Sequence, residues 1–210
     1  MRKFTIIILL LSNFFVFSPV VPAQNADIDL LKRVHYAAPG LKPVSVFLSE
    51  TAVPLNLAVP VAIGGYGLVN QDKDLIKDAI FVAMASGINL GMTEILKRSI
   101  QRQRPAYTYP DEITMYKLKT DYAMPSGHTS GCFATATALS LKYPEWYVVV
   151  PAYVWATSVG LSRMHLGMHY PTDVLAGAAL GAGSAFLSYK LNEWIWNNYD
   201  IKGFKIIRKE

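Results

Sequence analysis

The chain has 210 residues and a formal net charge of +5, with 52% hydrophobic and only 17% charged residues, whereas an ordinary soluble domain carries roughly 25% charged residues. This composition excludes a disordered chain, and the length leaves room for one domain with one core. The basic residues cluster only at residues 97–104 and in the C-terminal tail, which is too sparse for a nucleic-acid-binding surface and better suits a membrane or one anionic ligand.

The N-terminus has the features of an export signal. Arg2 and Lys3 precede an apolar run over residues 4–17, and small residues ending at Ala23 resemble a cleavage site before Gln24. Residues 1–23 are therefore predicted to be a signal peptide. The alternative is an uncleaved signal anchor, because the apolar run approaches the length of a spanning helix.

Residues 24–50 form a polar segment that contains one amphipathic pattern. From Asp27 onwards, Ile28, Leu31 and Val34 fall on one face of a helix. The Pro39-Gly40 pair then breaks the pattern. We expect this segment to lie at the membrane interface.

Six windows free of charged residues organise the chain: residues 4–26, 51–71, 79–93, 122–141, 146–162 and 174–189. Their lengths lie near the ~17–25 residues that cross a bilayer. The sequence therefore predicts an all-α helical bundle, integral to the membrane, with five to six transmembrane helices. Residues 51–192 form the bundle domain, and residues 193–210 form a basic tail. The alternative is a buried helical core in a soluble, secreted protein.

The sequence contains two pairs of glycines, and the two members of each pair lie one helical turn apart. Gly87 and Gly91 fall in the third window, and Gly177 and Gly181 fall in the sixth. Small residues at this spacing let the backbones of membrane helices approach closely. Both pairs are therefore expected at helix–helix contacts.

Three polar clusters flank these windows. The order of the windows along the chain places all three clusters at the same face of the membrane. In the first, Lys97 and Arg104 are seven residues apart, about two helical turns, and so are expected on one face of a helix. In the second, Ser126 and Gly127 precede His128 and follow Pro125, a pattern typical of a helix start, where free N–H groups favour an anion.

The third cluster contains Arg163, His169 and Asp173. A histidine four residues before a carboxylate predicts a hydrogen bond that fixes the imidazole tautomer and can make it a nucleophile. A metal site formed by His165, His169 and Asp173 is disfavoured, because Gly167 and Pro171 interrupt the helix that would align them. The single cysteine, Cys132, excludes a cysteine-based zinc site.

Together the three clusters provide the groups that phosphate-ester hydrolysis needs. Lys97, Arg104 and Arg163 offer three positive charges to a dianion, and Ser126 and Gly127 add neutral donors. Two histidines remain for opposite sides of the phosphorus. No metal or other cofactor is then required.

The three stretches KxxxxxxRP (residues 97–105), PSGH (residues 125–128) and SRxxxxxHxxxD (residues 162–173) resemble the signature of the phosphatidic acid phosphatase type 2 superfamily. The resemblance implies that the catalytic residues are His169 as nucleophile, Asp173 as its orienting group and His128 as acid for the leaving group. It also implies that the substrate phosphate is bound by Lys97, Arg104, Ser126, Gly127 and Arg163. His165, Arg98 and Arg102 match no invariant position, and the two arginines are expected to meet lipid head groups.

The resemblance implies a metal-independent membrane phosphatase that acts on a lipid phosphomonoester or pyrophosphate through a phosphohistidine. Undecaprenyl pyrophosphate, phosphatidylglycerophosphate, phosphatidate and a lipid A phosphate all stay open as substrates. The expected location is a bacterial inner membrane, with the site facing the periplasm or exterior. The alternatives are a periplasmic, soluble acid phosphatase, a related vanadate-dependent haloperoxidase and a non-catalytic protein that binds lipid phosphates. Oligomeric state is not predicted.

Overall fold

The computed structural model describes residues 20–202 and 205–208, with side chains over residues 26–195. The helices are α1 (Val20–Tyr36), α2 (Lys42–Val69), α3 (Lys73–Ile100), α4 (Pro105–Thr108), α5 (Gly127–Lys142), α6 (Trp146–His165) and α7 (Pro171–Asn198). A 3-10 turn at Pro39–Leu41 joins α1 to α2. The chain is a helical bundle, as the sequence predicts. The predicted signal segment lies mostly outside the described residues, since residues 1–19 are not described.

Each of the five later windows corresponds to one long helix. Two windows are short because helices α3 and α7 carry charged residues near their ends, yet each of these helices has 28 residues, a length of about 42 Å. Helix α2 continues through Pro54 and Pro60. Helix α3 begins where the Asp72 carboxylate accepts hydrogen bonds from the N–H groups of Asp74 (2.9 Å) and Leu75 (3.1 Å).

The chain is a membrane protein by the length and composition of its helices. Among the described residues, three segments are long and apolar enough to cross a bilayer, namely Pro39–Val69, Lys73–Thr108 and Pro171–Ile195. Large apolar side chains on them face outwards, with Val61 73%, Leu90 72% and Leu175 68% exposed. Such a surface is stable against lipid and costly in water, which disfavours the soluble alternative.

Helix α5 lies at the centre of the bundle and packs against α2, α3, α6 and α7. Its buried side chains are small or carry hydroxyls. They are Thr129, Ser130, Cys132, Ala134, Thr135, Ala136, Thr137 and Ala138. Small side chains allow the four surrounding helices to approach it closely. With 16 residues, α5 is also shorter than the helices that are long and apolar enough to span alone.

One of the two glycine pairs lies at a close helix contact. A Cβ atom added at Gly177 would lie 2.7 Å from the carbonyl oxygen of Ser126, and one added at Gly181 would overlap the carbonyl oxygen of Ser130. The backbones of α5 and α7 therefore touch at these positions. The expectation for the other pair is wrong, because nothing lies within 4 Å of a Cβ added at Gly87 or Gly91.

We expect Gly181→Ala to lower the free energy of unfolding by about 1–3 kcal/mol, because the added methyl group must push α7 away from α5. Thermal unfolding in detergent micelles measures the change. Gly183→Ala on the same helix is the matched control, since a Cβ there meets nothing within 4 Å. Equal melting temperatures for the two variants would contradict the contact.

Helix α1 packs on the bundle through the predicted apolar face. Ile28 and Leu31 are buried in one cluster with Ile113, Met164 and Tyr170, and Val34 packs against that cluster. The described part of the helix already includes Val20, which precedes the predicted start at Asp27. The interfacial position of residues 24–50 stays a prediction.

A two-stranded hairpin follows the bundle. Strands β1 (Tyr199–Lys202) and β2 (Lys205–Arg208) pair antiparallel, with Tyr199 opposite Arg208 and Lys202 opposite Lys205. The basic composition of these residues predicts only a tail and does not indicate the strands.

Alternating helix directions bring the predicted clusters to one end of the bundle. Helices α3 and α6 end there, whereas α5 and α7 begin there. The intervening loop is fixed by backbone hydrogen bonds from Ala123 N to Arg102 O (2.8 Å), from Tyr116 N to Leu166 O (3.0 Å) and from Ser126 N to Asp173 O (3.0 Å). The last of these joins the second and third clusters directly.

Candidate active site

Two buried cations from the first cluster meet at one carboxylate. Lys97 is 7% exposed and Arg104 is 3% exposed. Lys97 Nζ lies 2.8 Å from Asp121 Oδ2, and Arg104 Nη2 lies 2.8 Å from Asp121 Oδ1. Burial raises the pKa of the Asp121 carboxyl, but hydrogen bonds and charge from Lys97 and Arg104 outweigh it and hold that pKa well below its usual range. The pair is thus arranged to bind an anion with two oxygens.

The prediction that Lys97 and Arg104 lie on one face of a helix is wrong. Helix α3 ends at Ile100, and Gln101 adopts a left-handed conformation with φ 53°. Arg104 follows in extended conformation as the residue before α4. Arg104 and Lys97 therefore do not share a helical face, and the turn after α3 carries the guanidinium back to the ammonium.

His169 lies in the loop between α6 and α7 and is 1% exposed. Arg104 Nη1 approaches its Nε2 atom at 3.2 Å. Because a guanidinium can only donate, Nε2 must carry the lone pair and Nδ1 the proton of the neutral ring. Burial, aided by the positive charges of Arg104, Arg163 and Lys97, holds the pKa of His169 well below its ordinary value. The ring is therefore neutral and its Nε2 can act as a nucleophile.

Asp173 lies near His169, but its hydrogen bonds are to Tyr170 and Arg102. Its Oδ2 atom lies 3.6 Å from His169 Nδ1, beyond hydrogen-bond length, and Nδ1 has no partner in the structure. The backbone N–H of Tyr170 donates to the same oxygen at 2.9 Å. Arg102 Nη1 donates to Oδ1 at 2.7 Å.

Arg102 lies in the site and not at the lipid head groups where its sequence position predicts it. It was expected at lipid head groups, yet it bridges Asp173 and Asp27, with Nη2 at 2.5 Å from Asp27 Oδ2. Asp27 and Asp121 were not predicted to belong to the site at all. Their partners lie 75 and 17 residues away, so no local spacing could have indicated either contact.

The second cluster begins α5, as predicted. Ser126 is fully buried at the N-cap position, where its hydroxyl makes no capping bond and instead accepts from Thr129 Oγ1 at 3.0 Å. Gly127 is the first helical residue, and His128 follows it and is half-buried. The start of α5 is joined to the third cluster, because the Ser126 N–H donates to the carbonyl oxygen of Asp173 at 3.0 Å.

Arg163 joins the site from the last turn of α6. It is 4% exposed, and its Nη1 donates to Ser49 Oγ of helix α2, while its Nε has no partner. A buried guanidinium with an unpaired N–H can bind a further acceptor. His165 lies beside this region and its Nδ1 is 2.7 Å from Ser45 Oγ.

All eight predicted site residues thus lie at one end of the bundle, where the buried cations Lys97, Arg104 and Arg163 lie near the neutral imidazole of His169. Such an arrangement can bind a tetrahedral oxyanion, attack it from His169 and stabilise the charge that develops. Over residues 20–202 and 205–208, no group of three or more His, Cys, Asp or Glu side chains is placed to hold a metal ion.

Comparison with known proteins gives one family match. The model of the PAP2 superfamily matches residues 78–197. The chain is 28% identical to the lipid A 1-phosphatase of Porphyromonas gingivalis over 91% of its own length, but it spans only 41% of that protein. It is 29% identical to the undecaprenyl-diphosphatase of Sulfolobus acidocaldarius, covering 91% of this chain and 93% of the relative.

A solved structure shares the fold. The transmembrane PAP2-type phosphatidylglycerolphosphate phosphatase of Bacillus subtilis superposes with a TM-score of 0.69, covering 97% of this chain and 98% of that one, at 24% identity. The helical arrangement described above is therefore found in a second membrane protein.

Proposed function

The chain belongs to the PAP2 superfamily and is a phosphatase, and from this premise we propose that it hydrolyses a lipid phosphomonoester or pyrophosphate at the membrane surface. The observation that carries the proposal is the buried pair of Lys97 and Arg104, which holds a carboxylate 2.8 Å from each cation while Arg104 contacts His169 Nε2. A phosphate placed on the same two cations would lie beside the nucleophilic nitrogen. The relatives named above act on lipid phosphates, which supports a lipid substrate.

The proposed reaction has two steps. His169 Nε2 attacks phosphorus, the bond to the leaving oxygen breaks, and that oxygen takes a proton from His128. Water then attacks the phosphohistidine, loses a proton to His128 and releases inorganic phosphate. Asp173 stabilises the proton on Nδ1 of His169, and positive charge from Lys97, Arg104 and Arg163 stabilises the phosphoryl oxygens.

We also propose a location and a domain division. Residues 1–23 act as signal peptide or anchor, residues 24–50 lie at the membrane interface, residues 51–192 form the catalytic bundle and residues 193–210 form the basic tail. The N-terminal basic residues followed by an apolar run support export, which would place the site on the periplasmic face of a bacterial inner membrane. Reagents that modify only exterior residues of intact cells would test this orientation.

The test of the function is hydrolysis of purified lipid phosphates by the full chain in mixed micelles. Phosphatidate, phosphatidylglycerophosphate, undecaprenyl pyrophosphate and a lipid A phosphate are compared by phosphate release. We expect turnover of at least one of them to exceed that of a soluble phosphomonoester with the same leaving-group chemistry. A preference for the soluble ester would favour a non-specific acid phosphatase, and absence of turnover would favour a binding protein.

We expect the chelator EDTA to leave the rate unchanged, because side chains of Lys97, Arg104 and Arg163 supply the positive charge at phosphorus. The measurement is phosphate release before and after dialysis against the chelator. Strong inhibition that a divalent cation reverses would contradict the metal-independent mechanism.

Asp121→Asn is expected to lower the inhibition constant of inorganic phosphate about tenfold. The Asp121 carboxylate occupies the two cations in the structure, so an incoming phosphate must displace it, and its affinity is reduced by the fraction of molecules in which the cations are free. Asp111→Asn, an exposed change in the same loop, is the matched control. An unchanged or weaker inhibition in Asp121→Asn would show that Asp121 does not compete with phosphate.

A further inference from the structure

Asp173 offers its two carboxylate oxygens to different partners. Oδ1 accepts from Arg102 Nη1 at 2.7 Å. Oδ2 accepts from the Tyr170 N–H at 2.9 Å and lies 3.6 Å from the unpartnered Nδ1 of His169. The guanidinium therefore occupies the oxygen that faces away from the imidazole, and the remaining oxygen faces the ring.

Arg102 is itself fixed on three sides. Its Nη2 donates to Asp27 Oδ2 at 2.5 Å, and its Nη1 also donates to Thr172 Oγ1 at 2.6 Å. Its guanidinium lies over the ring of Tyr170, 4.0 Å from the ring centroid. A side chain with these contacts has little rotational freedom, so it holds Asp173 in one orientation.

Asp27 connects this arrangement to helix α1. It is 5% exposed and accepts from the backbone N–H of Thr172 at 3.0 Å and from Thr172 Oγ1 at 2.6 Å. Thr172 directly precedes Asp173 at the start of α7. Asp27 thus fixes both the guanidinium and the backbone beside the carboxylate, although it lies outside the residues that the family model matches.

The charges in this group explain why an arginine is needed. Asp27 and Asp173 are buried, and two buried carboxylates are stable only when a cation and hydrogen bonds compensate them. A planar guanidinium can donate to both at once, whereas an ammonium acts as a single point charge. Arg102 favours the anionic form of Asp173, the form that best stabilises a proton on His169 Nδ1.

We propose that Arg102 and Asp27 are positioning residues that orient Asp173 towards Nδ1 of His169 and so, together with the Arg104 contact at Nε2, favour the tautomer in which Nε2 carries the lone pair that attacks phosphorus. Helix α1 is then part of the catalytic machinery. The proposal rests on the proposed function, in which His169 is the nucleophile. Neither residue is among the proposed phosphate ligands, so we expect their effect in kcat and not in KM.

The first test is kinetic and uses the full chain with the lipid phosphate that it hydrolyses fastest. Arg102→Lys keeps the charge, and we expect it to lower kcat about tenfold with KM within about threefold. We expect about 100-fold for Arg102→Ala, in the range seen when a partner behind a functional side chain is removed, and about tenfold for Asp27→Asn. Lys190→Ala is the control, because Lys190 is exposed and pairs with Glu193 on the same helix, far from the start of α7. An unchanged kcat in Arg102→Lys and Asp27→Asn would overturn the proposal.

A double-mutant cycle separates positioning from general destabilisation. In the Asp173→Asn background, Arg102→Lys should lower kcat less than threefold further, because the group that it orients is already lost. If the two losses multiply, Arg102 acts independently of Asp173 and the proposal fails.

The second test needs no turnover. The chain has four histidines, so the imidazole nitrogens of His169 can be assigned by ¹⁵N NMR of histidine-labelled protein in micelles, using His169→Ala. We expect one tautomer with Nδ1 protonated in the wild type and a mixture in Arg102→Lys. Unchanged tautomer signals in Arg102→Lys would overturn the inference. Altered signals in a protein without phosphatase activity would support the positioning role and reject only the proposed function.

Discussion

His169→Ala is expected to lower kcat by at least about 10⁴-fold while the bundle remains folded, because a nucleophile contributes only in the transition state and no neighbouring group is placed to replace it. The imidazole is fully enclosed, and its Nε2 atom carries the lone pair that Arg104 contacts at 3.2 Å. The measurement is phosphate release from the best lipid substrate. Labelled substrate should also leave acid-labile phosphate on the wild-type chain and none on the variant.

The matched control is His165→Ala, four residues earlier. His165 is also largely buried, but its Nδ1 contacts Ser45 on helix α2 and none of the cations of the site. We expect kcat of this variant to stay within about tenfold of the wild type. Comparable losses of kcat in both variants would indicate that the substitutions disturb folding. Retained activity in His169→Ala would exclude His169 as the nucleophile.

His128→Ala is expected to slow the first turnover of a lipid phosphomonoester by about 10²–10⁴-fold, the range of general acid catalysis. An alkoxide is a poor leaving group and needs the proton that His128 supplies. An aryl phosphate with an acidic phenol leaves without that proton, so its first turnover should slow less than about tenfold. Rapid-mixing measurements of alcohol and phenol release distinguish the two substrates.

The first turnover must be measured because His128 also takes part in the second step, where it accepts a proton from water. In the steady state, slow hydrolysis of the phosphohistidine would limit both substrates equally and conceal the difference. Equal losses in the first turnover itself would show that His128 binds or orients phosphate and does not protonate the leaving group.

The helices were predictable from the sequence because lipid imposes a simple rule, namely that charged residues stay out of the spanning segments. Five charge-free windows correspond to α2, α3, α5, α6 and α7. Their ends were less predictable, since charged residues such as Lys97 occupy helical positions near the membrane surface. Glycine spacing alone could not separate Gly177, which touches α5, from Gly87, which faces open space.

The residues that resemble the family signature lie at one end of the bundle, and their sequence pattern indicated them. The residues that surround them could not be predicted from a sequence pattern. Asp121 depends on how the loop after α4 returns to Lys97, and the contact of Asp27 with Arg102 spans 75 residues. Tertiary contacts of this kind leave no periodicity, so only the three-dimensional structure identifies them.

The central helix α5 also constrains how the protein is made. Thr129, Ser130, Thr135 and Thr137 are hidden from lipid only by neighbouring helices, and hydroxyls make a segment less favourable in hydrocarbon. During biosynthesis this segment leaves the ribosome before α6 and α7 exist. Its stable integration must therefore wait for the remaining helices, and a nascent chain that stops near Lys142 should be a preferred substrate for membrane proteases.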